Sequence, residues 1–173
     1  MPDGAERMSM QTVTPGPETT RDFRDALGRF ATGVTVVTTH SDLGPLGITA
    51  NSFASVSLDP PLVLWSPAKF SRRFTAFAEA SHFAIHVIGA EQAHLCERFS
   101  RDGLAFDGTD WQPGAHDVPL LNGCLARFEC TTVASHEGGD HRIIVAEVTR
   151  ANWREGEPLL FSQGLYGQFT IAP

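Results

Sequence analysis

Short runs of β-branched and aromatic residues, separated by glycine, proline and asparagine, make up most of this chain. Such runs favour extended strands, whereas an amphipathic helix needs apolar residues at a period of about 3.6. The predicted strands cover residues 34–39, 47–58, 62–65, 83–88, 124–135, 142–149, 159–161 and 165–169. Helical spacing is confined to residues 21–30, 74–80 and 91–99, with Thr20 and Ser71 as the expected N-caps of the first two. Many short strands with few helices predict a mainly β fold, and a barrel over a doubly wound sheet.

One stretch, Gly47–Leu58, is dense in small residues and hydroxyls and is closed by Asp59-Pro60-Pro61. It contains no Lys, Arg or Glu, and its composition predicts one extended strand that pairs back as a hairpin. A strand with so little bulk lets a flat polar heterocycle approach its backbone and hydrogen-bond to it. An ordinary strand with a hydroxyl face turned to water is the alternative. Its polar side chains are Thr49, Asn51, Ser52, Ser55 and Ser57.

Length and charge narrow the class of protein. A chain of 173 residues suits one domain with a buried core. Residues 1–20 lack periodicity and predict a flexible N-terminal arm, which leaves residues 21–173 as the domain. A formal charge of −7 without a basic stripe argues against a nucleic-acid partner. No apolar run is long enough to span a membrane and the N-terminus lacks signal-peptide features, so a cytoplasmic protein is expected.

The cysteines and histidines match no common metal motif. Cys96, Cys124 and Cys130 have no zinc-site spacing, and we expect them to be reduced, buried and apolar in their behaviour. His82 and His86 are four residues apart, but they lie in a predicted strand, where that spacing does not bring them together as it does on a helix. Hydrolase elbows, Walker loops and dinucleotide-binding glycine motifs are also missing from the sequence. No metal site is expected.

Two other segments carry candidate chemistry. Residues 66–73 combine serine, lysine and arginine ahead of a predicted helix, an arrangement that suits a phosphate group but is also found in ordinary capped helices. His141 ends the turn Gly138-Gly139-Asp140, and turns carry functional groups more often than core strands do. A purely structural role for His141 is equally open on these grounds.

Several motifs together carry a family resemblance. Residues 47–53, 55–61, 139–141 and 166–167 occur in one order, after an opening segment over residues 23–37. In this order they resemble the short-chain flavin reductase family, the reductase components of two-component flavin-dependent monooxygenases. The resemblance extends from about residue 23 to residue 169. It implies an FMN-binding split β-barrel with a few short helices, which forms a homodimer.

The resemblance also implies the positions of the site. The backbone around residues 49–52 meets the flavin ring and ribityl chain, the segment over residues 65–72 holds the phosphate, and residues 99–100 close over the cofactor. His141 matches the histidine beside the nicotinamide, and we assign it the catalytic position. The implied cofactor-binding residues are Thr49, Ala50, Asn51, Ser52, Ser55, Ser57, Trp65, Ser66, Lys69, Ser71, Arg72, Phe99, Ser100 and Tyr166.

The chemistry implied by the resemblance is hydride transfer from NADH or NADPH to FAD or FMN, with NADH expected to be preferred. Such transfer depends on close stacking of two cofactors, so the missing acid–base pair does not argue against it. A reductase that supplies a separate oxygenase needs an open site that releases reduced flavin. Two alternatives remain: a flavin-binding electron carrier or store without nicotinamide turnover, and a split-barrel oxidase acting on a pyridoxine-like substrate.

Overall fold

The computed structural model describes residues 10–170, so part of the predicted N-terminal arm lies outside the described residues. The helices are α1 (Thr20–Leu27), α2 (Phe74–Ala78) and α3 (Ala93–Arg101), with short 3-10 turns at Pro17–Thr19, Ala90–Gln92 and Ala115–Asp117. The strands are β1 (Thr32–Gly33), β2 (Thr35–Ser41), β3 (Gly44–Ala50), β4 (Ala54–Leu58), β5 (Pro61–Trp65), β6 (His82–Val87), β7 (Trp111–Pro113), β8 (Pro119–Leu121), β9 (Ala126–Gly138), β10 (His141–Trp153), β11 (Leu159–Ser162) and β12 (Leu165–Gln168).

The main sheet has seven strands in the order β3-β2-β6-β9-β10-β5-β4. Its two edge strands, β3 and β4, are consecutive in the chain and are joined only by residues 51–53. In a flat sheet these edges would lie about 29 Å apart, at about 4.8 Å per strand spacing. A three-residue link spans at most about 14 Å, so the sheet curls round until its edges face each other. Because β3 and β4 do not pair, the result is a barrel that stays open along one seam.

Two smaller sheets lie beside this barrel. Strand β11 pairs with both β1 and β12, and β7 pairs with β8. The turn between β11 and β12 is tied to the end of α1, since the N–H of Gln163 donates to the Gly28 carbonyl at 3.0 Å. This contact sets α1 next to the hairpin that carries Tyr166. Helix α1 and the β11–β12 hairpin therefore lie together outside the seven-stranded sheet.

The core divides into two main clusters because strand β2 is buried on both faces. Val37 packs inside the curled sheet with Trp65, Phe83 and Ile85. Its neighbour Val36 points the other way, since successive side chains alternate across a strand. The second cluster also contains Val34, Ile88, Leu95, Cys96, Phe99, Phe106, Leu121 and Leu159. Helix α3 is therefore held against the outside of the barrel by apolar contact.

His86 is a core residue with a fixed tautomer. Its ring is fully buried, and Nδ1 lies 2.9 Å from the Val36 carbonyl oxygen while Nε2 accepts the N–H of Leu121 at 3.0 Å. Because Nε2 accepts, Nδ1 must carry the proton, and the ring is neutral. Burial lowers the pKa of His86 to about 3. This histidine joins three strands and takes no part in the site described below.

Four local predictions are wrong in detail. The stretch over residues 47–58 forms two strands rather than one, because the Ser52 hydroxyl bonds to the Ser66 backbone and bends the chain. Helix α1 ends at Leu27, with Gly28 as its C-cap, and Thr20 lies inside it. Ser71 is not an N-cap, since α2 begins at Phe74 with Arg73 before it. The segment over residues 111–121, which showed no strand pattern, contains β7 and β8.

Candidate functional site

The open edge of β3 presents free backbone groups. Gly47 uses both of its main-chain groups outside the sheet, since its N–H donates to the Gly103 carbonyl at 2.8 Å and its carbonyl accepts from Arg73. In an antiparallel ladder, residues two apart point their backbone groups to the same side. Thr49 therefore directs its N–H and C=O away from β2 as well. Neither group has a backbone partner outside the strands among the described residues, so the edge can bind a ligand.

A cavity of about 140 Å³, here called the β3 cavity, lies at this edge. The Tyr166 and Phe161 rings, with centroids 5.6 Å apart, form its aromatic side. Burial raises the pKa of the Tyr166 phenol, with smaller contributions from Cys96 and Glu97. Four predicted cofactor residues thus surround one space, three of them consecutive at the end of β3 and the fourth, Tyr166, more than 100 residues further along the chain. The cavity is lined by Val34, Thr49, Ala50, Asn51, Phe161 and Tyr166.

The polar side chains of this edge have different partners. The Thr49 hydroxyl donates to the Cys96 carbonyl at 2.6 Å, which ties β3 to α3. The Asn51 side chain is exposed and makes no hydrogen bond to any residue that the structure describes, so its amide is free for a ligand. Ser52 bonds to both backbone groups of Ser66, accepting its N–H at 2.9 Å and donating to its carbonyl at 3.2 Å. Ser52 and Ser66 thereby continue the β4–β5 pairing into the link between β3 and β4.

Strand β4 carries the other two predicted serines, Ser55 and Ser57. Ser55 is exposed and Ser57 is half-buried, and an irregularity in the pairing with β5 falls between them. Neither hydroxyl hydrogen-bonds to another described residue. They follow the seam on the side opposite β3, but they are not part of the β3 cavity.

The structure brings His141 next to the predicted phosphate segment. Ala68 forms a β-bridge with His141, and on either side the N–H of Lys69 donates to the Asp140 carbonyl at 2.8 Å and that of Arg142 to the Pro67 carbonyl at 3.1 Å. The segment over residues 67–69 therefore extends the sheet beside the glycine turn. Two motifs more than 70 residues apart in sequence meet here.

Two ion pairs fix the charges around this turn. The Lys69 ammonium and the Arg142 guanidinium both bond to the Glu137 carboxylate, and they lower its pKa. Asp140 accepts a hydrogen bond from His141 Nδ1 at 2.8 Å, which lowers the pKa of Asp140. A carboxylate can only accept, so neutral His141 carries its proton on Nδ1 and leaves Nε2 as a free acceptor. The His141 side chain is 41% exposed, so Nε2 has access to a ligand.

Ser71 and Arg72 lie on a separate, larger groove of about 1210 Å³. Arg72 is exposed and its guanidinium makes no hydrogen bond to a described residue, while the Ser71 hydroxyl accepts the N–H of Arg73 at 3.3 Å. Helix α2 has only five residues, so the predicted support of a helix N-terminus for a phosphate is missing. At the far end of the groove the His82 and His116 rings stack with centroids 3.7 Å apart.

Trp65 and Phe99 were predicted to bind the cofactor, but both side chains lie in the core, where they cannot contact a cofactor directly. Both are fully buried: the Trp65 indole packs edge-on against Phe77, and the Phe99 ring packs against Phe106. Each is followed by a serine that is more accessible, Ser66 or Ser100. The aromatic side chains therefore fix the position of their neighbours rather than line the cavity.

Sequence reasoning missed Arg73 as a site residue. Its guanidinium turns inward and donates to three main-chain carbonyls, those of Gly47 at 3.0 Å, Phe99 at 2.5 Å and Ser100 at 3.0 Å. Burial lowers the pKa of Arg73, and the nearby Asp102 carboxylate opposes that shift. The run of Lys, Ser and two Arg signalled a cationic segment, but a sequence pattern cannot show which arginine points inward.

Within residues 10–170 no helix is long and apolar enough to cross a membrane. In the same range, no three His, Cys, Asp or Glu side chains come together in a way that could hold a metal ion. All three cysteines are free thiols, and burial raises the pKa of Cys96 and of Cys130 to about 12.

Comparison with known proteins gives the family. The pattern of the flavin reductase like domain matches residues 27–170. The chain belongs to the flavin reductase-like family. FMN reductase (NADH) SmoA of Agrobacterium fabrum is 60% identical over 156 residues, which cover 90% of both chains. HsaB of Rhodococcus jostii, the reductase subunit of a flavin-dependent monooxygenase, is 43% identical over 148 residues, which cover 84% of this chain and 76% of HsaB.

A solved structure agrees with this membership of the flavin reductase-like family. NADH:FAD oxidoreductase SgcE6 of Streptomyces globisporus is 36% identical and aligns with a TM-score of 0.86 over 96% of both chains. The predicted family and the predicted mainly β, split-barrel fold with short helices are confirmed. Family members named for NADH-dependent reduction of FMN or FAD favour a reductase over an electron carrier or store.

Proposed function

We propose that this protein is an NADH:flavin oxidoreductase that reduces FMN or FAD and supplies diffusible reduced flavin to a partner monooxygenase. One observation carries the proposal: the outward backbone edge at Thr49, the exposed Asn51 amide and the Tyr166 ring surround one cavity. The 60% identity to an FMN reductase that uses NADH supports the same activity.

The residues around the β3 cavity fit a flavin ring. An isoalloxazine is flat and has hydrogen-bonding atoms along one edge, so it needs a narrow space with donors and acceptors on one side. Thr49 supplies a backbone N–H and C=O, and Asn51 supplies an amide that can donate and accept. Tyr166 and Phe161 supply apolar aromatic surface on the other side. A bound flavin would accept the hydride, while the backbone N–H groups stabilise negative charge that develops on its polar edge.

Ser66, Ser71 and Arg72 are the groups we assign to the flavin phosphate. Arg72 is exposed, its guanidinium makes no hydrogen bond within residues 10–170, and it presents charged donors suited to phosphate oxygens. Lys69 is a weaker candidate, because its ammonium would have to leave Glu137. The groove of about 1210 Å³ next to Ser71 leaves room for an adenylate. We therefore expect both FMN and FAD to be accepted.

His141 is the residue we assign to the nicotinamide. Its Nδ1 proton is held by Asp140, so the free Nε2 of the neutral ring accepts a hydrogen bond, which suits the N–H of a carboxamide. Its role is to orient the nicotinamide for close stacking, since the hydride step itself moves no proton through an imidazole. NADH is the expected donor because several relatives are named for it; use of NADPH stays a prediction.

A homodimer is part of the proposal. Helix α1 buries no residue, and its apolar side chains are exposed: Phe23 by 40%, Leu27 by 59% and the following Phe30 by 80%. The adjacent β12 exposes Leu165 by 72%. An apolar surface of this kind on a folded chain is typical of an interface, and a second copy can cover it symmetrically. The predicted cytoplasmic location is a further expectation that follows from the sequence only.

Steady-state NADH oxidation tests the proposed function. The protein is mixed with NADH and either FMN or FAD, and the absorbance of NADH is followed with and without each flavin. We expect turnover that saturates in flavin, because flavin is a substrate that leaves after reduction. A yellow protein that retains one flavin through gel filtration and does not oxidise NADH would support the electron carrier instead.

A further inference from the structure

Arg73 occupies a junction between three parts of the chain. It follows directly on Ser71 and Arg72 and lines the same groove, and its guanidinium reaches across to β3 and α3. Nη1 donates to the carbonyls of Gly47 in β3 and Phe99 in α3, at 3.0 and 2.5 Å. Nη2 donates to the carbonyl of Ser100 at 3.0 Å. One planar side chain therefore holds the edge of β3 and the last turn of α3 at a fixed separation.

The backbone around Arg73 is closely packed at Gly47 and Gly103. A Cβ atom at Gly103 would lie 2.6 Å from Arg73 Cδ and 2.9 Å from the Gly47 carbonyl oxygen. A Cβ atom at Gly47 would lie 2.6 Å from the Phe99 ring. Glycine is required at both positions because of these close approaches, and the N–H of Gly47 donates to Gly103 as well. The junction is thus built around the arginine side chain.

All the segments joined here were assigned to the flavin above. Strand β3 leads on to Thr49 and Asn51, the last turn of α3 contains Phe99 and Ser100, and Arg73 itself adjoins Ser71 and Arg72. We propose that Arg73 is the positioning residue of the flavin site, which sets the β3 edge, the end of α3 and the phosphate segment at the separation that flavin binding requires. This inference rests on the proposed function. Lysine cannot replace it, because a single ammonium lacks the planar fork that reaches acceptors on two elements.

Three variants test this role. Arg73→Met removes the hydrogen bonds and the charge, Arg73→Lys keeps the charge, and Arg150→Gln is a matched control. Arg150 is exposed in β10, lies outside the groove, and its side chain makes no hydrogen bond to a described residue. We expect Arg73→Met to raise the flavin Kd and the flavin KM about tenfold or more, since bonds to charged groups are the stronger class. The KM for NADH at saturating flavin should stay near the wild-type value, and Arg150→Gln should change nothing.

Amide hydrogen exchange without flavin provides an independent readout of the junction. In Arg73→Met we expect faster exchange at Gly47 and over residues 99–104 than in wild type or Arg150→Gln. Absence of flavin binding by the wild-type protein would contradict the proposed function, while the exchange result would still report on the junction.

Several results would overturn the positioning role. One is a folded Arg73→Met variant whose flavin Kd and amide hydrogen exchange equal those of the wild type. Another is wild-type flavin binding by Arg73→Lys, because the positive charge alone would then suffice. Equal losses for flavin, NADH and melting temperature would indicate general destabilisation instead. If Arg73→Met does not fold, the same comparison is made with Arg73→Lys, for which a raised flavin KM with an unchanged NADH KM is expected.

Discussion

Asn51 and His141 are the residues whose side chains have the clearest freedom to meet a ligand. Asn51 is exposed directly after β3, where its amide has no partner among the described residues. His141 keeps Nε2 free because Asp140 engages Nδ1. Several other polar side chains of the site already have partners in the protein, as Thr49 has in Cys96 and Ser52 in Ser66. These two residues are therefore where single substitutions separate ligand binding from folding.

Replacing Asn51 with aspartate should weaken flavin binding more than folding. The change introduces a negative charge and removes the side-chain amide donor that Asn51 presents to the β3 cavity. We expect the flavin Kd to rise about tenfold or more, while the melting temperature changes little. Asn152→Asp, an exposed change of the same charge in β10, is the control and should leave the Kd unaltered. Parallel losses of affinity and melting temperature would instead make Asn51 a structural residue.

His141→Ala should act on the nicotinamide rather than on the flavin. Loss of one polar contact costs roughly 1–3 kcal/mol, or about ten- to a hundredfold in kcat/KM for NADH. Flavin Kd should be nearly unchanged. His136→Ala, an exposed change in β9 close to the same turn, serves as the control. Wild-type NADH kinetics in a well-folded His141→Ala protein would exclude the assignment.

At the scale of elements, strand β6 contains a histidine that makes the stability of the fold depend on pH. His86 in this strand is buried and neutral with a folded pKa of about 3, below the ordinary value of about 6.5. The unfolded chain therefore binds the proton more readily between these two values. The stabilisation from neutral His86 is complete above about pH 6.5 and is lost as the pH falls towards 3.

Urea unfolding at pH 7 and pH 5 measures this dependence. We expect His86 to contribute about 2 kcal/mol to the drop in unfolding free energy between the two pH values. The variant His86→Gln should be less stable at pH 7 but should lose this part of the pH dependence. His40→Gln, an exposed change in β2, should keep the wild-type slope. Identical slopes for wild type and His86→Gln would contradict the neutral, buried histidine.

The sequence predicted elements well where their patterns were local. Strands β2, β5, β6, β9 and β10 follow from β-branched runs, and the barrel follows from their number. The break at residues 51–53 was not predictable, because it depends on a hydrogen bond from Ser52 to Ser66, which lies 14 residues away in the sequence. The inward turn of Arg73 and the burial of Trp65 and Phe99 depend in the same way on distant contacts. The sequence alone could not predict that His141 lies next to the segment with Lys69, because this contact arises only from the folding of distant parts of the chain.

At the scale of the whole molecule, the apolar face of α1 remains uncovered in the single chain. Its exposed side chains followed the helical spacing that predicted the helix, yet no part of the described chain packs over them. The face adjoins the β11–β12 turn through the Gly28 carbonyl, and β12 carries Tyr166 of the β3 cavity. A second copy on this face would therefore lie close to the proposed flavin site.

Sedimentation velocity tests the homodimer. We expect a dimer at micromolar concentration for the wild type and a monomer for the double variant Leu27→Glu with Phe30→Glu, because two buried carboxylates on each copy oppose association. Leu43→Glu adds charge at an exposed leucine in the β2–β3 turn and should leave the dimer intact. A monomeric wild type would contradict the predicted homodimer. A double variant that still forms a dimer would contradict the assignment of α1 to the interface.

Anaerobic stopped-flow reduction tests the proposed activity most directly. Protein with bound FMN or FAD is mixed with NADH or NADPH in the absence of oxygen, and the flavin absorbance near 450 nm is followed. We expect rapid bleaching with NADH for both flavins, slower bleaching with NADPH, and release of the reduced flavin into the filtrate of a membrane that retains the protein. Flavin that binds but stays oxidised in the presence of NADH would contradict the proposed reductase.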